Sequence, residues 1–197
     1  MLNWALAARE EQKIDIHNPL AHQLLGARFY HHALGMLRQG YGPLVFLCIG
    51  TDRSTGDSLG PLVGSRLVEG SLPGILVYGT LEHPVHATNL QETLAKIQST
   101  CTRPCITAID ACLGRLESVG NITIGKGSLK PGAGVNKILP AVGHIYITGV
   151  VNVGGFMEYF VLQNTRLNLV IKMARVIADG LTLAIPSLVN RRIKGVL

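Results

Sequence analysis

Apolar residues follow two patterns along this chain, and the two patterns alternate. A continuous apolar run at residues 44–49 is typical of a strand buried on both faces of a sheet, and residues 75–78, 104–109 and 145–150 predict further strands. Helical spacing of apolar residues occupies residues 20–37, 59–67 and 90–97. Strands that alternate with helices predict a wound α/β domain, and residues 155–184 predict one or two further helices that cover the sheet.

Capping residues indicate where two of these helices begin. Asn18 followed by Pro19 is typical of a helix start, with proline at the first helical position. Asn89 and Glu92 have the spacing of a capping box. We therefore expect both residues to hydrogen-bond backbone groups of the first turn of the helix at residues 90–97.

The remaining segments predict turns and a short hairpin. Residues 1–17 show no period, so we expect a mobile N-terminal segment followed by a single domain over residues 18–197. Residues 116–124 predict a β-hairpin. Glycine, proline and lysine dominate residues 125–137, which predicts an irregular loop that favours anions.

Composition narrows the class of protein. Hydrophobic residues make up 47% of the 197 residues and charged residues 15%, which is enough for one well-filled core. The net charge of +6 is scattered, and no basic surface is interleaved with aromatic residues, which argues against a nucleic-acid partner. The apolar stretch 167–189 contains three charged residues and predicts a buried helix rather than a membrane span.

The cysteines and the N-terminus predict a cytoplasmic protein. No basic-then-apolar signal pattern opens the chain, because Arg9, Glu10 and Glu11 interrupt it. The four cysteines show no C-x-x-C spacing, so we expect reduced thiols and no zinc. No cofactor motif is present either, since the glycine-rich loop lacks the spacing of a phosphate-binding loop.

Two aspartates follow predicted buried strands. Asp57 lies in the polar turn after residues 44–49, and Pro61 restricts the following helix to a start near residues 58–60. Asp110 ends the strand at residues 104–109. Because the carboxyl ends of parallel strands meet at one edge of a sheet, both carboxylates are expected at the same edge, where ligands bind. A structural Asp that caps a neighbouring loop is the alternative for Asp110.

Three segments in the same order resemble one family. Residues 49–61, with Asp57-Ser58-Leu59-Gly60-Pro61, resemble the first motif of the spore germination protease; residues 108–111 and 131–137 resemble its second acidic strand end and its glycine-rich loop. The length and wording of the motifs resemble more closely the YyaC family of sporulation proteins. The resemblance implies a phosphorylase/hydrolase-like, three-layer αβα fold with a mostly parallel sheet, shared with the hydrogenase-maturation endopeptidases.

The resemblance also implies an activity. The positions that match the proposed catalytic pair of the germination protease are Asp57 and Asp110, which implies a sporulation-associated, aspartate-type endopeptidase acting on a spore protein, such as a small acid-soluble spore protein, in the forespore or spore core. Maturation peptidases bind nickel with a later histidine, but residues 150–153 contain none. The alternatives are an inactive binding or regulatory module of this fold, and a metal-dependent peptidase using Asp57, Asp110 and His83 or His86.

Several further residues are candidates for contact with the substrate. Residues 79–86 lie in a loop expected at the same sheet edge as Asp57, which makes two histidines the best placed for chemistry. Cys112 is a weaker candidate for a nucleophile paired with one of those histidines. The sequence contains no G-x-S-x-G elbow, which argues against a serine hydrolase. The predicted substrate-binding residues are Asp52, His83, His86, Lys126, Asn136 and Lys137.

Overall fold

The computed structural model describes residues 11–131 and 139–193. Its strands are β1 (Glu11–Asp15), β2 (Leu44–Cys48), β3 (Ile75–Tyr78), β4 (Cys105–Gly114), β5 (Asn121–Lys126) and β6 (Ile145–Val153). Its α-helices are α1 (Ala21–Arg38), α2 (Leu59–Glu69), α3 (Leu90–Thr100), α4 (Glu158–Gln163) and α5 (Leu167–Ile193). Two short 3-10 turns complete the described elements, at Gly56–Ser58 and Leu116–Ser118.

The strands form one six-stranded sheet in the order β1-β5-β6-β4-β2-β3. The four strands from β6 to β3 are parallel, whereas β5 is antiparallel to both of its neighbours. Apolar side chains cover both faces of the sheet: one face packs against α1, α2 and α5, and the other against α3. The chain is therefore a three-layer α/β protein with a mostly parallel sheet, as its apolar pattern and its resemblance predict.

Strand β2 lies deepest in this sheet, since all five of its residues are buried. Phe46 and Cys48 face the α1, α2 and α5 side, and Val45 and Leu47 face the α3 side. The continuous apolar run is the consequence of burial on both faces.

No helix in the described part of the chain is long and apolar enough to cross a membrane.

Helix α2 approaches the sheet closely enough that only glycine fits at two positions. A Cβ on Gly60 would lie 2.1 Å from the carbonyl oxygen of Ile49, and a Cβ on Gly64 would lie 1.9 Å from that of Gly79. The glycines four residues apart therefore hold the start of α2 against the carboxyl end of β2. This contact positions the turn before α2, where Asp57 lies.

Three details differ from the sequence predictions. Residues 116–124 do not form a hairpin: Leu116–Ser118 is a 3-10 turn, and β5 pairs with β1 and β6 instead. Strand β4 does not end at Asp110 but continues to Gly114, paired with β6. Residues 11–15 of the segment expected to be mobile form β1, in which only Ile14 is buried, so the strand has almost no apolar signal. The domain boundary itself stays a prediction.

Candidate functional site

The carboxyl end of β2 connects three segments of the chain. Ile49 donates its backbone N–H to the carbonyl of Ile109 in β4 (2.7 Å), and the next residue donates to the carbonyl of Val85 (2.8 Å). Asp110 follows the first acceptor and His86 follows the second. The backbone pairing therefore holds one titratable side chain on each side of the end of β2, at the sheet edge where ligands bind in open α/β folds.

Asp57 folds back onto the same strand end. Gly50 has a φ of +140°, and a Cβ at this position would lie 1.9 Å from the carbonyl oxygen of Asp57. The backbone N–H of Thr51 donates to that oxygen (3.1 Å), which closes the loop between β2 and α2. The 3-10 turn that contains Asp57 also packs against β4. Glycine is required at residue 50 because any side chain there would displace Asp57.

Burial dominates the electrostatics of Asp57. It raises the pKa of this carboxyl above its usual value, because the ionised form loses solvation. Two smaller effects oppose it: a hydrogen bond from the backbone N–H of Thr51 and the charge of the nearby His86 both lower the pKa. A carboxyl that keeps its proton to higher pH than an exposed aspartate suits a general acid.

Asp110 lies where one side of β4 opens. Its side chain is buried, with 7% of the residue exposed, and its Oδ1 accepts the backbone N–H of Ala111 (2.9 Å). On one side of β4, Asp110 pairs with Thr148 of β6. On the other side, β2 ends opposite Ile109, one residue before Asp110. Although β4 is longer than expected, Asp110 still follows the last residue of β4 that β2 covers.

The two candidate histidines are placed differently. The Nδ1 atom of His86 hydrogen-bonds the hydroxyl of Thr88 (2.8 Å), and its backbone N–H donates to Oδ1 of Asn89 (2.8 Å). Its charge also acts on Asp57. His83 is exposed, and its backbone N–H donates to the hydroxyl of Thr80 (3.0 Å). Of the two histidines, His86 is therefore the one that lies close enough to Asp57 to act on its carboxyl.

The predicted capping box at the start of α3 is absent. The Asn89 side chain makes no capping hydrogen bond to the helix. It instead accepts from the N–H of His86 and donates to the carbonyl of Pro84 (3.0 Å). Asn89 therefore stabilises the loop that carries His86 instead of capping the helix.

The other predicted substrate contacts are dispersed. Asp52 is exposed in the loop before Asp57, within hydrogen-bonding distance of the hydroxyl of Thr51 (3.4 Å). Lys126 is exposed at the far end of antiparallel β5, opposite Ile145 at the start of β6, so the structure places it at the opposite edge of the sheet. Asn136 and Lys137 lie outside the described residues.

The comparisons with known proteins bear on all of these segments. The family model described as a protein of unknown function (DUF1256) matches residues 15–180. The chain belongs to the DUF1256 family. It is 60% identical over 148 residues to the uncharacterized protein YyaC of Bacillus subtilis (strain 168), which covers 75% of this chain and 72% of that protein. The resemblance to the YyaC family is thereby confirmed.

A solved structure is also similar. It is that of the [NiFe] hydrogenase maturation protease HycI from Thermococcus kodakarensis KOD1, which is 18% identical, with a TM-score of 0.48, covering 76% of this chain and 98% of that one. The DUF1256 match itself contains Asp57, His86 and Asp110. The candidate site therefore lies within the part of the chain that defines the family.

Other nucleophiles and metal ligands are poorly placed in this member of the DUF1256 family. The four cysteines are free. Burial raises the pKa of Cys112 to about 11, and the charge of Asp110 contributes in the same direction, so the thiol is protonated at neutral pH. Within residues 11–131 and 139–193, no three His, Cys, Asp or Glu side chains are grouped so that they could hold a metal ion.

An apolar groove near the site was not predicted from the sequence. It has a volume of about 590 Å³ and lies between the end of β6 and α4. Phe156 is 84% exposed, and Met157 and Phe160 are more than half exposed. The signal was present, because three aromatic residues fall between positions 156 and 160 in a chain that is only 5% aromatic. Exposed apolar patches of this kind mark binding surfaces.

Proposed function

We propose that this protein is an aspartate-type endopeptidase in which Asp57 and Asp110 act as a pair. One observation carries the proposal: two shielded carboxyls lie beside the end of β2, where Ile49 hydrogen-bonds the residue before Asp110 and the N–H of Thr51 hydrogen-bonds the carbonyl of Asp57. Shielded carboxyls at a ligand-binding edge are costly to keep unless they are used. The motif resemblance to the germination protease supports the same pair.

The pair supplies both proton transfers that peptide hydrolysis needs. One carboxylate accepts a proton from water, whose oxygen attacks the carbonyl carbon of the scissile bond. The other carboxyl gives its proton to the amide nitrogen as the C–N bond breaks. Burial raises the pKa of Asp57, which favours Asp57 as the proton donor and Asp110 as the base. His86 acts on the charge of Asp57 and so helps to set its proton affinity.

The substrate that we propose is a protein of the forespore or spore core, and a small acid-soluble spore protein is the first to test. The support is the order of the three motifs and membership of the DUF1256 family together with YyaC. An irregular backbone segment is the part of a folded protein that would reach the strand end. The corresponding location is the forespore cytoplasm.

The test is cleavage of a purified small acid-soluble spore protein. Asp57→Asn and Asp110→Asn are each expected to lower the cleavage rate by about 10²–10⁴-fold, since each removes a proton transfer. Asp52→Asn is the matched control, because Asp52 is an exposed carboxylate in the same loop, and it should retain the rate within about threefold. Cleavage at an undiminished rate in both variants would exclude the pair.

A non-catalytic binding module is the second candidate, and the exposed apolar groove between β6 and α4 favours it. It predicts a stable complex with a spore protein and no cleavage under any condition. A metal-dependent peptidase is distinguished by chelators: cleavage that EDTA abolishes and a divalent cation restores would require metal ligands besides the aspartate pair.

A further inference from the structure

The backbone of His86 is fixed beside the end of β2. Val85 is buried, its carbonyl accepts the N–H of Gly50 (2.8 Å), and it pairs with Ile49 as a parallel bridge. Gly50 also lies at the start of the loop that folds back onto Asp57. The residue that follows Val85 is therefore placed next to the loop that carries Asp57.

The loop before α3 uses both backbone groups of His86. The N–H of His86 donates to Oδ1 of Asn89 (2.8 Å), and its carbonyl accepts the N–H groups of Asn89 (3.1 Å) and Leu90 (3.0 Å). Nδ2 of Asn89 donates to the carbonyl of Pro84 (3.0 Å), which holds the other side of the loop. Because its backbone groups are engaged, the imidazole ring is the part of His86 that can act on a neighbouring segment.

Thr88 holds one nitrogen of that ring. Nδ1 of His86 lies 2.8 Å from the hydroxyl oxygen of Thr88, two residues along the same loop. A neutral imidazole carries one N–H, and the hydrogen bond that one nitrogen makes determines which nitrogen carries the proton. A hydroxyl that donates to Nδ1 leaves the N–H on Nε2. The nitrogen available to a group outside the loop is therefore Nε2.

The carboxyl of Asp57 is a group outside the loop on which His86 acts. The charge of His86 lowers the pKa of Asp57 against the larger effect of burial, and a hydrogen bond from the backbone N–H of Thr51 lowers it as well. The contribution of Thr51 comes from the backbone of the same loop as Asp57. That of His86 comes from a side chain of another segment, so it depends on where the ring points.

The remaining surroundings of Asp57 differ from His86 in charge or exposure. On the side of α4 and α5, a Cβ on Gly56 would meet Leu162 and Thr165, which are uncharged. The first turn of α2 contains no charged residue. In the described part of the chain, the other charged or titratable side chains beside this turn are two exposed residues of its own loop and one carboxyl of β4: Asp52, Arg53 and Asp110.

We propose that Thr88 is a positioning residue of the candidate site: its hydroxyl donates to Nδ1 of His86 and directs the N–H on Nε2 toward the Asp57 carboxyl. A ring held in this way stabilises the ionised form of Asp57 continuously, whereas a ring that is free to turn does so only part of the time. That this affects cleavage rests on the proposed function, in which Asp57 donates a proton. The orientation of the ring and the proton affinity of Asp57 are properties of the free protein.

The first test is titration of the Asp57 carboxyl by carbon NMR without any substrate. Thr88→Val keeps the shape of the side chain and removes the hydroxyl, so the pKa of Asp57 should rise by about half a pH unit. Thr88→Ser restores the hydroxyl and should return the pKa to the wild-type value. Thr100→Val is the matched control, because Thr100 is also exposed and its hydroxyl donates to the carbonyl of Lys96 (2.7 Å), at the far end of α3. An unchanged titration of Asp57 in the Thr88→Val protein would overturn the proposal.

The second test asks whether Thr88 acts through His86. The His86→Gln protein has no imidazole to hold, so the addition of Thr88→Val to it should leave the pKa of Asp57 where His86→Gln alone has put it. An equal rise in the wild-type and His86→Gln backgrounds would mean that Thr88 acts without the ring, and it would overturn the proposal. A Thr88→Val protein that lost thermal stability but kept the titration of Asp57 would show a structural role only.

The third test separates this inference from the proposed hydrolysis. In a protein that cleaves a small acid-soluble spore protein, Thr88→Val should move the alkaline limb of the pH–rate profile to higher pH, by no more than His86→Gln does. A limb that stays in place while the pKa of Asp57 rises would exclude Asp57 as the proton donor and leave the role of Thr88 intact. A wild-type protein that cleaves nothing would refute the hydrolysis, and the titrations alone would then decide the role of Thr88.

Discussion

Asp57 combines a shielded carboxyl with a glycine that lets its loop fold back and with a histidine from a second loop. Gly50 adopts a φ of +140° so that the chain can fold back onto residue 57, and burial then raises the pKa of the carboxyl. Such an arrangement lowers the stability of the folded protein at neutral pH, because the charge of the carboxylate is poorly solvated. Residues that lower stability without improving the packing are typically kept for function.

The stability of the protein should therefore improve when Asp57 is neutralised. A carboxyl whose pKa is higher in the folded than in the unfolded state weakens folding as pH rises from the unfolded pKa through the folded one. Asp57→Asn removes this loss and keeps an acceptor for the N–H of Thr51. Thermal unfolding at pH 7 should show a higher Tm for Asp57→Asn, by about 2–4 °C for each kcal/mol recovered.

The same comparison near pH 3 supplies the control for Asp57→Asn. Below both pKa values the wild-type carboxyl is protonated in either state, so the two proteins should unfold at nearly the same temperature. A lower Tm for Asp57→Asn at pH 7 would contradict the role that we assign to burial.

The two histidines of the loop before α3 offer a matched pair at the same scale. His86→Gln should move the alkaline limb of the pH–rate profile of cleavage to higher pH, because it removes the charge that lowers the pKa of Asp57, the proposed proton donor. His83→Gln should leave the rate within about twofold, since His83 is exposed and linked to the loop through its backbone only. Rates measured on one substrate decide between them, and equal effects would remove His86 from the site.

At the scale of elements, the sequence predicted which segments are strands or helices but not where each of them ends. Apolar periodicity indicated β2, β3, β6 and the first three helices, because burial determines that pattern. The end of β4 was misjudged because a carboxylate was taken as a stop, although the residues that follow Asp110 are still apolar. The side of a strand that stays open depends on where its neighbour ends, and that is set by tertiary contacts that no local pattern records.

Strand direction explains the misplacement of Lys126. The alternating residues of β5 indicate a strand with one buried face, yet they do not indicate whether it runs parallel or antiparallel to its neighbours. Because β5 is antiparallel, its last residue lies at the opposite edge from Asp110. A lysine that follows a strand can belong to either edge, and only the topology distinguishes them.

Helix α2 gives the prediction at the scale of elements. Gly64→Ala should destabilise the protein by about 1–3 kcal/mol, because its Cβ would lie 1.9 Å from the carbonyl oxygen of Gly79 and α2 would have to move off the sheet. Gly35→Ala is the control in α1, where a Cβ meets nothing within 4 Å, and it should stabilise the protein by up to about 1 kcal/mol. Urea unfolding measures both, and a stable Gly64→Ala protein would refute the close packing of α2.

At the scale of the whole molecule, the sheet has a parallel part and an antiparallel part. The parallel strands β2, β4 and β6 carry the candidate site at their carboxyl ends, whereas β1 and β5 add an antiparallel margin. The location of both aspartates near the end of β2 could be predicted from sequence, because each follows a buried strand in the chain. The groove between β6 and α4 could not be predicted, because it depends on how α4 packs beside the end of β6.

This division predicts that stability and activity can be separated across the sheet. Ile14 is the one buried residue of β1, with 2% exposed, and it packs in the core cluster on the α1 and α5 side. Ile14→Ala should therefore lower the free energy of unfolding by about 2–4 kcal/mol. The residues around the end of β2 pair with β4 and the loop before α3 and not with β1, so kcat on a spore-protein substrate should stay within about twofold at temperatures where the variant is folded.

Lys13→Ala is the control for Ile14→Ala, since Lys13 is exposed on the same strand. It should change the free energy of unfolding by no more than about 0.5 kcal/mol and should leave kcat unchanged. Chemical unfolding and initial rates on the same preparations provide both readouts. If Ile14→Ala reduced kcat as strongly as it reduced stability, the margin formed by β1 and β5 would have to be coupled to the site. The candidate site could then no longer be treated as a unit that β2, β4 and α2 hold in place on their own.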